Sequence, residues 1–188
     1  MPKVAIVGHS FVRRFKDQLD QVKRPYKDQL DVSNYVDSIY LHGKGGALTD
    51  QILSKFSPLS TDILILDLGT NDLCGTFDGE TLANKVSTYL DDYMRDFHRM
   101  KSVYIFEIVE RERTRNVSKA KFDFERKVYN SKIQEIASSN PKITFCKHVG
   151  LNDMKKWSND GIHPDTRFGT NQYMNNVRNV ILKAAKRQ

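Results

Sequence analysis

The sequence has few of the features that mark membrane proteins, metal-binding modules and disulfide-stabilised domains. Only two of its 188 residues are cysteines, Cys74 and Cys146, and their separation fits neither a metal motif nor a disulfide framework. No apolar stretch approaches the roughly 18 residues that a membrane span needs. We therefore predict two free thiols, a reducing compartment and no transmembrane segment.

The chain also lacks a recognisable leader, because a strand-like segment follows Met1 almost directly. If the chain is complete, we expect a cytoplasmic protein; if it is a domain excised from a longer protein, its location stays open. A length of 188 residues with 39% hydrophobic and 28% charged residues is typical of one globular domain. We predict a single domain over residues 1–188, of unspecified oligomeric state.

The net charge of +7 favours contact with phosphates or with an anionic membrane surface. The positive charges are scattered through "RRFKDQLDQVKRPYK", "RERTRNVSKAK" and "KAAKRQ", where they are mixed with acids or lie at an end. This distribution fits a solvated basic face better than a dedicated nucleic-acid groove.

Apolar strand patterns alternate with amphipathic helix patterns along the chain, which is typical of a parallel sheet covered by helices. The predicted strands are 4–7, 36–43, 62–69, 102–109 and 142–146, and the predicted helices are 11–19, 48–56, 79–100, 122–137 and 168–186. The run "DILILDLG" at 62–69 is the strongest strand pattern and is expected at the centre of the sheet. The predicted fold is a flavodoxin-like, three-layer α/β/α sandwich with a five-stranded parallel sheet.

Four polar, glycine-rich loops follow predicted strands or precede the last helix. They are "GHS" at 8–10, "HGKGGA" at 42–47, "GTND" at 69–72 and "NDGIHPD" at 159–165. Ligands of such sheets bind outside the carboxyl ends of the strands, so we expect these loops to meet at one edge.

Each loop taken alone has an ordinary structural explanation. Ser10 is either a helix N-cap or a nucleophile exposed at a tight turn. The "GKGG" and "GTND" segments are either turns or sources of oxyanion donors. Asp160 lies three residues before His163, a spacing that fits a surface turn, a metal pair or a carboxylate that orients an imidazole. A nucleophile, oxyanion donors and an Asp–His pair that all lie at one edge of the sheet together favour a hydrolytic site.

The same four segments resemble the sequence blocks of the SGNH hydrolases, the GDSL-type esterase and lipase superfamily, over nearly the whole chain. The matching segments are "IVGHS", "GKGGALTDQIL", "LDLGTND" and "DGIHP". The resemblance implies that Ser10 is the nucleophile, His163 the general base and Asp160 its orienting acid. It further implies an oxyanion hole made by the Ser10 N–H, the Gly46 N–H and the Asn71 side chain, with Gly45 as the alternative to Gly46.

His9 departs from the family pattern, which usually has Asp at this position. We expect the triad to survive, because the neighbour of the nucleophile normally points away from the attacked carbonyl. A titrating imidazole at this position is expected to affect the pH profile.

The resulting hypothesis is a serine esterase that acts through an acyl-enzyme, needs no cofactor or metal, and takes a small-molecule or lipid ester with a short acyl group such as acetyl. Lys44, Arg111 and Arg113, with Arg115, are the candidate substrate-binding residues for an anionic substrate or interface. The alternative hypothesis is a basic module associated with nucleic acid or membranes. An example is the SGNH-like esterase domain of some retrotransposon-encoded proteins, in which catalysis would be weak or accessory.

Overall fold

The computed structural model describes residues 1–187, within which five strands form one parallel sheet. The strands are β1 (Lys3–Gly8), β2 (Ser38–Gly43), β3 (Ile63–Asp67), β4 (Ser102–Phe106) and β5 (Ile143–Cys146). The helices are α1 (Ser10–Leu19), α2 (Tyr26–Gln29), α3 (Thr49–Leu53), α4 (Gly79–Asp96), α5 (Lys119–Ser139), α6 (Met154–Trp157) and α7 (Arg167–Ala185), and a single 3-10 turn spans Asp72–Cys74.

The strand order is β2-β1-β3-β4-β5, so β3 is the central strand, as its apolar sequence predicts. Gly8 at the end of β1 pairs with Gly43 of β2 and with Asp67 of β3. Because the strands are parallel, the loops that follow all three strands leave the sheet at the same edge.

Helices cover both faces of the sheet, which confirms the three-layer α/β/α architecture. Side chains alternate along each strand, so neighbouring residues of β1 and β3 enter different cores. The first core joins the sheet to α3, α4 and α5 and includes Val7, Leu66, Leu82, Val86, Phe122 and Tyr129. The second core joins it to α1, α6 and α7 and includes Ile6, Ile65, Phe11, Phe15, Trp157, Val177 and Ile181.

Two glycines let α1 start directly against the edge of the sheet. A Cβ on Gly8 would lie 2.3 Å from the Asp67 carbonyl oxygen, and a Cβ on Gly43 would lie 2.3 Å from the Arg13 backbone nitrogen. Any larger residue at these positions would push the first turn of α1 away from β2 and β3.

Two helix ends differ from the sequence prediction because a single local feature, a capping hydroxyl or a non-helical residue, sets the end of the helix. α5 begins at Lys119, earlier than predicted, because the Ser118 hydroxyl accepts the Lys121 N–H and caps the helix. α4 ends at Asp96, since Phe97 has left the helical conformation with a φ of −122° and a ψ of 77°. The short helices α2 and α6 have too few residues for an amphipathic pattern.

Two further expectations concern the cysteines and membrane spans. Cys74 and Cys146 are both free thiols, as predicted. Within residues 1–187, none of the helices combines the length and the apolar character required to cross a bilayer.

Candidate active site

Ser10 occupies the first position of α1, at the sharp turn that follows β1. The helix cap is its neighbour His9, whose Nδ1 accepts the Phe11 N–H at 3.5 Å. The hypothesis that Ser10 is the N-cap is therefore wrong. Its Oγ lies instead 3.0 Å from the Nε2 atom of His163, a residue that follows it by more than 150 positions.

His163 and Asp160 lie in the loop between α6 and α7, and their side chains face each other. The His163 Nδ1 is 2.6 Å from the Asp160 Oδ2. The other carboxylate oxygen of Asp160 accepts the backbone N–H groups of Ile162 and His163, each at 2.8 Å. Because these bonds hold the carboxylate in place, Nδ1 carries the imidazole proton and Nε2 presents its lone pair to Ser10.

The electrostatics of this pair keep the carboxylate charged and the imidazole neutral. Burial alone would raise the pKa of Asp160, but hydrogen bonds from the His163 ring, the His163 N–H and the Ile162 N–H lower it well below its usual range. The pKa of His163 is lowered mainly by burial, and the Asp160 hydrogen bond opposes this effect. A neutral imidazole whose Nε2 lies 3.0 Å from a hydroxyl can accept a proton from that hydroxyl.

Hydrogen-bond donors lie beside the Ser10 hydroxyl. Gly45, Gly46 and Asn71 line the same cleft as Ser10. Gly46 has a φ of +73°, a conformation that favours glycine. Within residues 1–187, the backbone N–H groups of Ser10 and Gly46 make no hydrogen bond. Asn71 uses one amide hydrogen on the Ala47 carbonyl at 3.0 Å, which leaves the other for a ligand.

Asp72 fixes the loop of Asn71 against the start of α3. Its buried carboxylate accepts the Thr49 N–H at 3.1 Å and the Thr49 hydroxyl at 3.0 Å. Burial raises the pKa of Asp72 to about 6 even though these bonds oppose the rise. This contact ties the Asn71 loop to the segment that carries Gly46, so both donors keep their places relative to Ser10.

A buried polar cluster of His9, Asp67, Thr70, His148 and Tyr173 lies behind Ser10. The His9 Nε2 is 3.0 Å from the Thr70 hydroxyl, and the Tyr173 hydroxyl donates to Asp67 at 2.7 Å. Asp67 also lies 3.6 Å from His9 and 3.9 Å from His148. Asp67, His148 and Tyr173 were not predicted from the sequence. Only Asp67 was indicated there, as a carboxylate near the end of the otherwise apolar run at 62–69.

Burial suppresses charge in this cluster. It raises the pKa of Asp67 to about 7 and lowers the pKa of His148 to about 3. Burial also lowers the pKa of His9 to about 3, with smaller contributions from Arg111, His163 and His148. His9 is therefore uncharged at neutral pH. Its Nδ1 lies 3.4 Å from the Ser10 Oγ, but His9 is buried and is not among the described residues that line the cleft.

Arginines dominate the wall of the cleft, which has a volume of about 320 Å³. The lining residues are Ser10, Arg13, Arg14, Gly45, Gly46, Asn71, Arg111, Arg115, Ile162 and His163. Arg111 and Arg115 thus line the cleft, and their role in substrate binding stays a prediction. Lys44 and Arg113 are not among the lining residues, and Arg113 instead borders a neighbouring hollow with Asp160 and Gly161.

The sequence analysis did not place Arg13 and Arg14 at the site. They follow Ser10 by three and four residues on α1, and side chains at this spacing share one face of a helix. A helix that begins at Ser10 therefore predicts that Arg13 and Arg14 lie on the same face as Ser10.

No group of three or more histidines, cysteines and acidic residues in the described part of the chain, residues 1–187, could hold a metal ion. The interpretation of Asp160 and His163 as a metal pair has no third ligand of this kind to support it. The short distance between their side chains is explained by the hydrogen bond already described.

The chain superposes on solved GDSL-type hydrolases over almost its whole length. A GDSL-like lipase from Bacteroides thetaiotaomicron matches with a TM-score of 0.72 at 18% identity, covering 97% of this chain and 89% of that one. A member of the lipolytic G-D-S-L family from Veillonella parvula matches with a TM-score of 0.69 at 15% identity, covering 96% and 98%. An acetyl esterase variant crystallised with an acetate ion matches with a TM-score of 0.67 at 14% identity, covering 99% of both chains.

These matches show that the chain has the SGNH hydrolase fold, as its four sequence blocks predicted. No family model matches the sequence, and the comparison with curated proteins finds no significant match.

Proposed function

We propose that this protein is a serine esterase that hydrolyses carboxylic esters through an acyl-enzyme. The observation that carries the proposal is the continuous hydrogen-bond chain from Asp160 through His163 to Ser10, of which His163 and Ser10 line the cleft. The distances between the proposed nucleophile, base and orienting acid fit this chemistry. The fold shared with esterases and acylhydrolases supports the same reaction class.

The reaction follows from the positions of these atoms. The Ser10 Oγ attacks the ester carbonyl carbon while the His163 Nε2 takes the hydroxyl proton. The oxyanion that forms is stabilised by the N–H groups of Ser10 and Gly46 and by the Asn71 amide. Collapse of this intermediate breaks the bond to the alcohol oxygen, and His163 returns its proton to the departing alcohol.

Deacylation repeats these steps with water as the nucleophile. His163 accepts a proton from the water molecule that attacks the acyl-enzyme, and it then protonates the Ser10 oxygen as the acid product leaves. Asp160 stays ionised throughout and stabilises the imidazolium form of His163.

We further propose a short acyl group, such as acetyl. Ile162 is the only apolar side chain among the residues that line the cleft, all of which lie in the described range. A long acyl chain needs an extended apolar wall, because burial of its methylene groups provides its binding free energy. The fold shared with an acetyl esterase supports this choice of substrate.

The test is hydrolysis of p-nitrophenyl acetate, butyrate and octanoate by the purified protein, together with labelling by a fluorophosphonate. We expect the acetate and butyrate to react fastest and mass spectrometry to find the phosphonyl group on Ser10. A preference for octanoate would contradict the short acyl group. Absence of both hydrolysis and labelling would contradict the esterase and favour the basic binding module, which salt-sensitive affinity for single-stranded RNA or anionic liposomes would support.

The pH dependence should follow His163. Because burial, Arg14 and Arg111 lower its pKa below the ordinary 6.5, the neutral base persists at mildly acidic pH. We expect the acid limb of kcat/KM to have its midpoint below 6.5, and Arg14→Gln to move this midpoint upward because a nearby positive charge is removed.

The matched control for this profile is Arg24→Gln. Arg24 is an exposed residue in the loop that follows α1, beyond the end of the helix that is opposite Ser10. We expect this variant to leave the midpoint where it is in the wild-type protein. A midpoint above 6.5 in the wild type would mean that another group controls the activity.

A further inference from the structure

Four arginines surround the Ser10 cleft, and no aspartate or glutamate is among its lining residues. Arg13 and Arg14 reach it from α1, whereas Arg111 and Arg115 reach it from the connection between β4 and α5. The α1 arginines have carboxylate partners outside the lining: Arg13 pairs with Asp17 at 3.1 Å, and Arg14 lies 3.5 Å from Asp160. The other two arginines differ in this respect.

Arg111 is a buried guanidinium without a carboxylate partner in the described part of the chain. The residue is 2% exposed. Its Nη1 donates to the Thr70 carbonyl at 3.3 Å and contacts the Cys74 sulfur at 3.2 Å, while its Nε has no hydrogen-bond partner. Burial lowers the pKa of Arg111 from its ordinary value. The Asp160 carboxylate opposes this lowering through its charge, but within residues 1–187 Arg111 makes no ion pair. A buried arginine without an ion-paired carboxylate is costly, and an anion at this position would offset that cost.

Arg115 adds a second positive charge on the same side. It is exposed, and among residues 1–187 it has no ion pair or hydrogen bond. The two guanidinium groups are close enough for Arg115 to contribute to the lowered pKa of Arg111. Two arginines that repel each other beside the same cleft favour an anion that binds both.

We propose that the ester substrate carries an anionic group, a carboxylate or a phosphate, and that Arg111 and Arg115 bind it beside Ser10. This inference rests on the proposed esterase function and specifies its substrate class. The guanidinium fork forms paired hydrogen bonds to carboxylate and phosphate oxygens, whereas a neutral ester would leave Arg111 without an ion-paired anion. Arg13 and Arg14 add to the positive potential that attracts such a substrate.

The experiment compares two pairs of esters that differ in one charge. Mono-p-nitrophenyl adipate and p-nitrophenyl hexanoate place the difference on the acyl side. Para-acetoxybenzoate and para-acetoxybenzamide place it on the alcohol side. We expect kcat/KM to be about 10-fold or more higher for the anionic member of at least one pair, the effect of one charge-assisted hydrogen bond. The pair that shows the preference identifies the side of the ester that carries the charge.

Substitution of the arginines should reduce the preference for the anionic ester. Arg115→Gln is expected to lower kcat/KM for the preferred anionic ester by about 3- to 10-fold and to change the neutral member less than about 2-fold. Arg111→Gln should act in the same direction, and its folding is checked by circular dichroism because the residue is buried. The exposed residue Arg24, changed to glutamine, is the matched control and should change neither member.

The outcomes separate the substrate class from the reaction. If both members of both pairs react equally and through Ser10, the esterase stands and the anionic substrate is wrong. Equal losses for anionic and neutral esters in Arg115→Gln would also overturn it, since the arginine would then serve catalysis or folding. If no ester in either pair reacts, the proposed function fails and this inference fails with it.

Discussion

Ser10→Ala is expected to lower kcat for p-nitrophenyl acetate by about 10⁴-fold or more, because Ser10 carries the only hydroxyl among the described residues that line the cleft. His163→Ala should cause a loss of similar size, since Ser10 would then lack the base that lies 3.0 Å from its Oγ. The double variant should be no worse than either single variant, because the two residues act in one step. Initial rates of the purified proteins measure all three effects.

A second serine provides the matched control. Ser118 is a true helix cap, whose hydroxyl accepts the Lys121 N–H, so Ser118→Ala should cost about 1 kcal/mol of stability and leave kcat unchanged. Ser10→Ala should show the opposite pattern, with lost activity and little change in thermal unfolding. Activity in Ser10→Ala comparable with that of the wild type would show that another nucleophile, or no enzyme nucleophile, is responsible.

Most of the fold is predictable because the apolar pattern determines which segments can be buried. Residues 62–69 combine β-branched and apolar side chains, so only a strand covered on both faces buries them, and β3 is indeed central. The helix ends are less predictable. They depend on single hydrogen bonds, such as the one that Ser118 makes at the start of α5.

The contact between Ser10, His163 and Asp160 is harder to predict from the sequence than the presence of these three residues. Asp160 and His163 are three residues apart, so their contact follows from local geometry. Ser10 reaches His163 only because parallel pairing brings the end of β1 to the same edge as the last loop. The four sequence blocks and the strand topology predicted that Ser10 and His163 lie at the same edge of the sheet. The distance between the two side chains and their orientation depend on packing that the sequence pattern does not give.

The positions of the basic residues around the site depend on where the helix begins and on packing of the loops. Basic residues on a helix surface are usually solvated, and Arg13 and Arg14 border the cleft because α1 starts at Ser10. Arg113 and Arg115 both lie in the connection between β4 and α5, yet of these two only Arg115 lines the cleft. Side chains in an irregular loop do not alternate with a fixed period, so the sequence could not show which of the two arginines faces the cleft.

The backbone contacts of Asp160 decide what its amide would do. One carboxylate oxygen accepts the N–H groups of Ile162 and His163, and also lies 3.2 Å from the Ser158 hydroxyl. An asparagine at this position must keep its carbonyl oxygen there, because its NH₂ group would otherwise face two N–H donors. Its NH₂ group would then point at the His163 Nδ1 and donate to it.

Asp160→Asn is therefore expected to lower kcat by about 10⁴-fold with little effect on folding, since it forces the imidazole proton onto the nitrogen that must accept one from Ser10. Steady-state rates and thermal unfolding of the variant measure the two effects. Asp165→Asn is the matched control, because Asp165 lies in the same loop and its Oδ1 accepts only the Asn159 N–H, a bond that asparagine can keep. Similar losses in both variants would assign the effect to the loop as a whole. A loss confined to Asp160→Asn would show that the protonation state of His163, and not its position alone, determines whether Ser10 reacts.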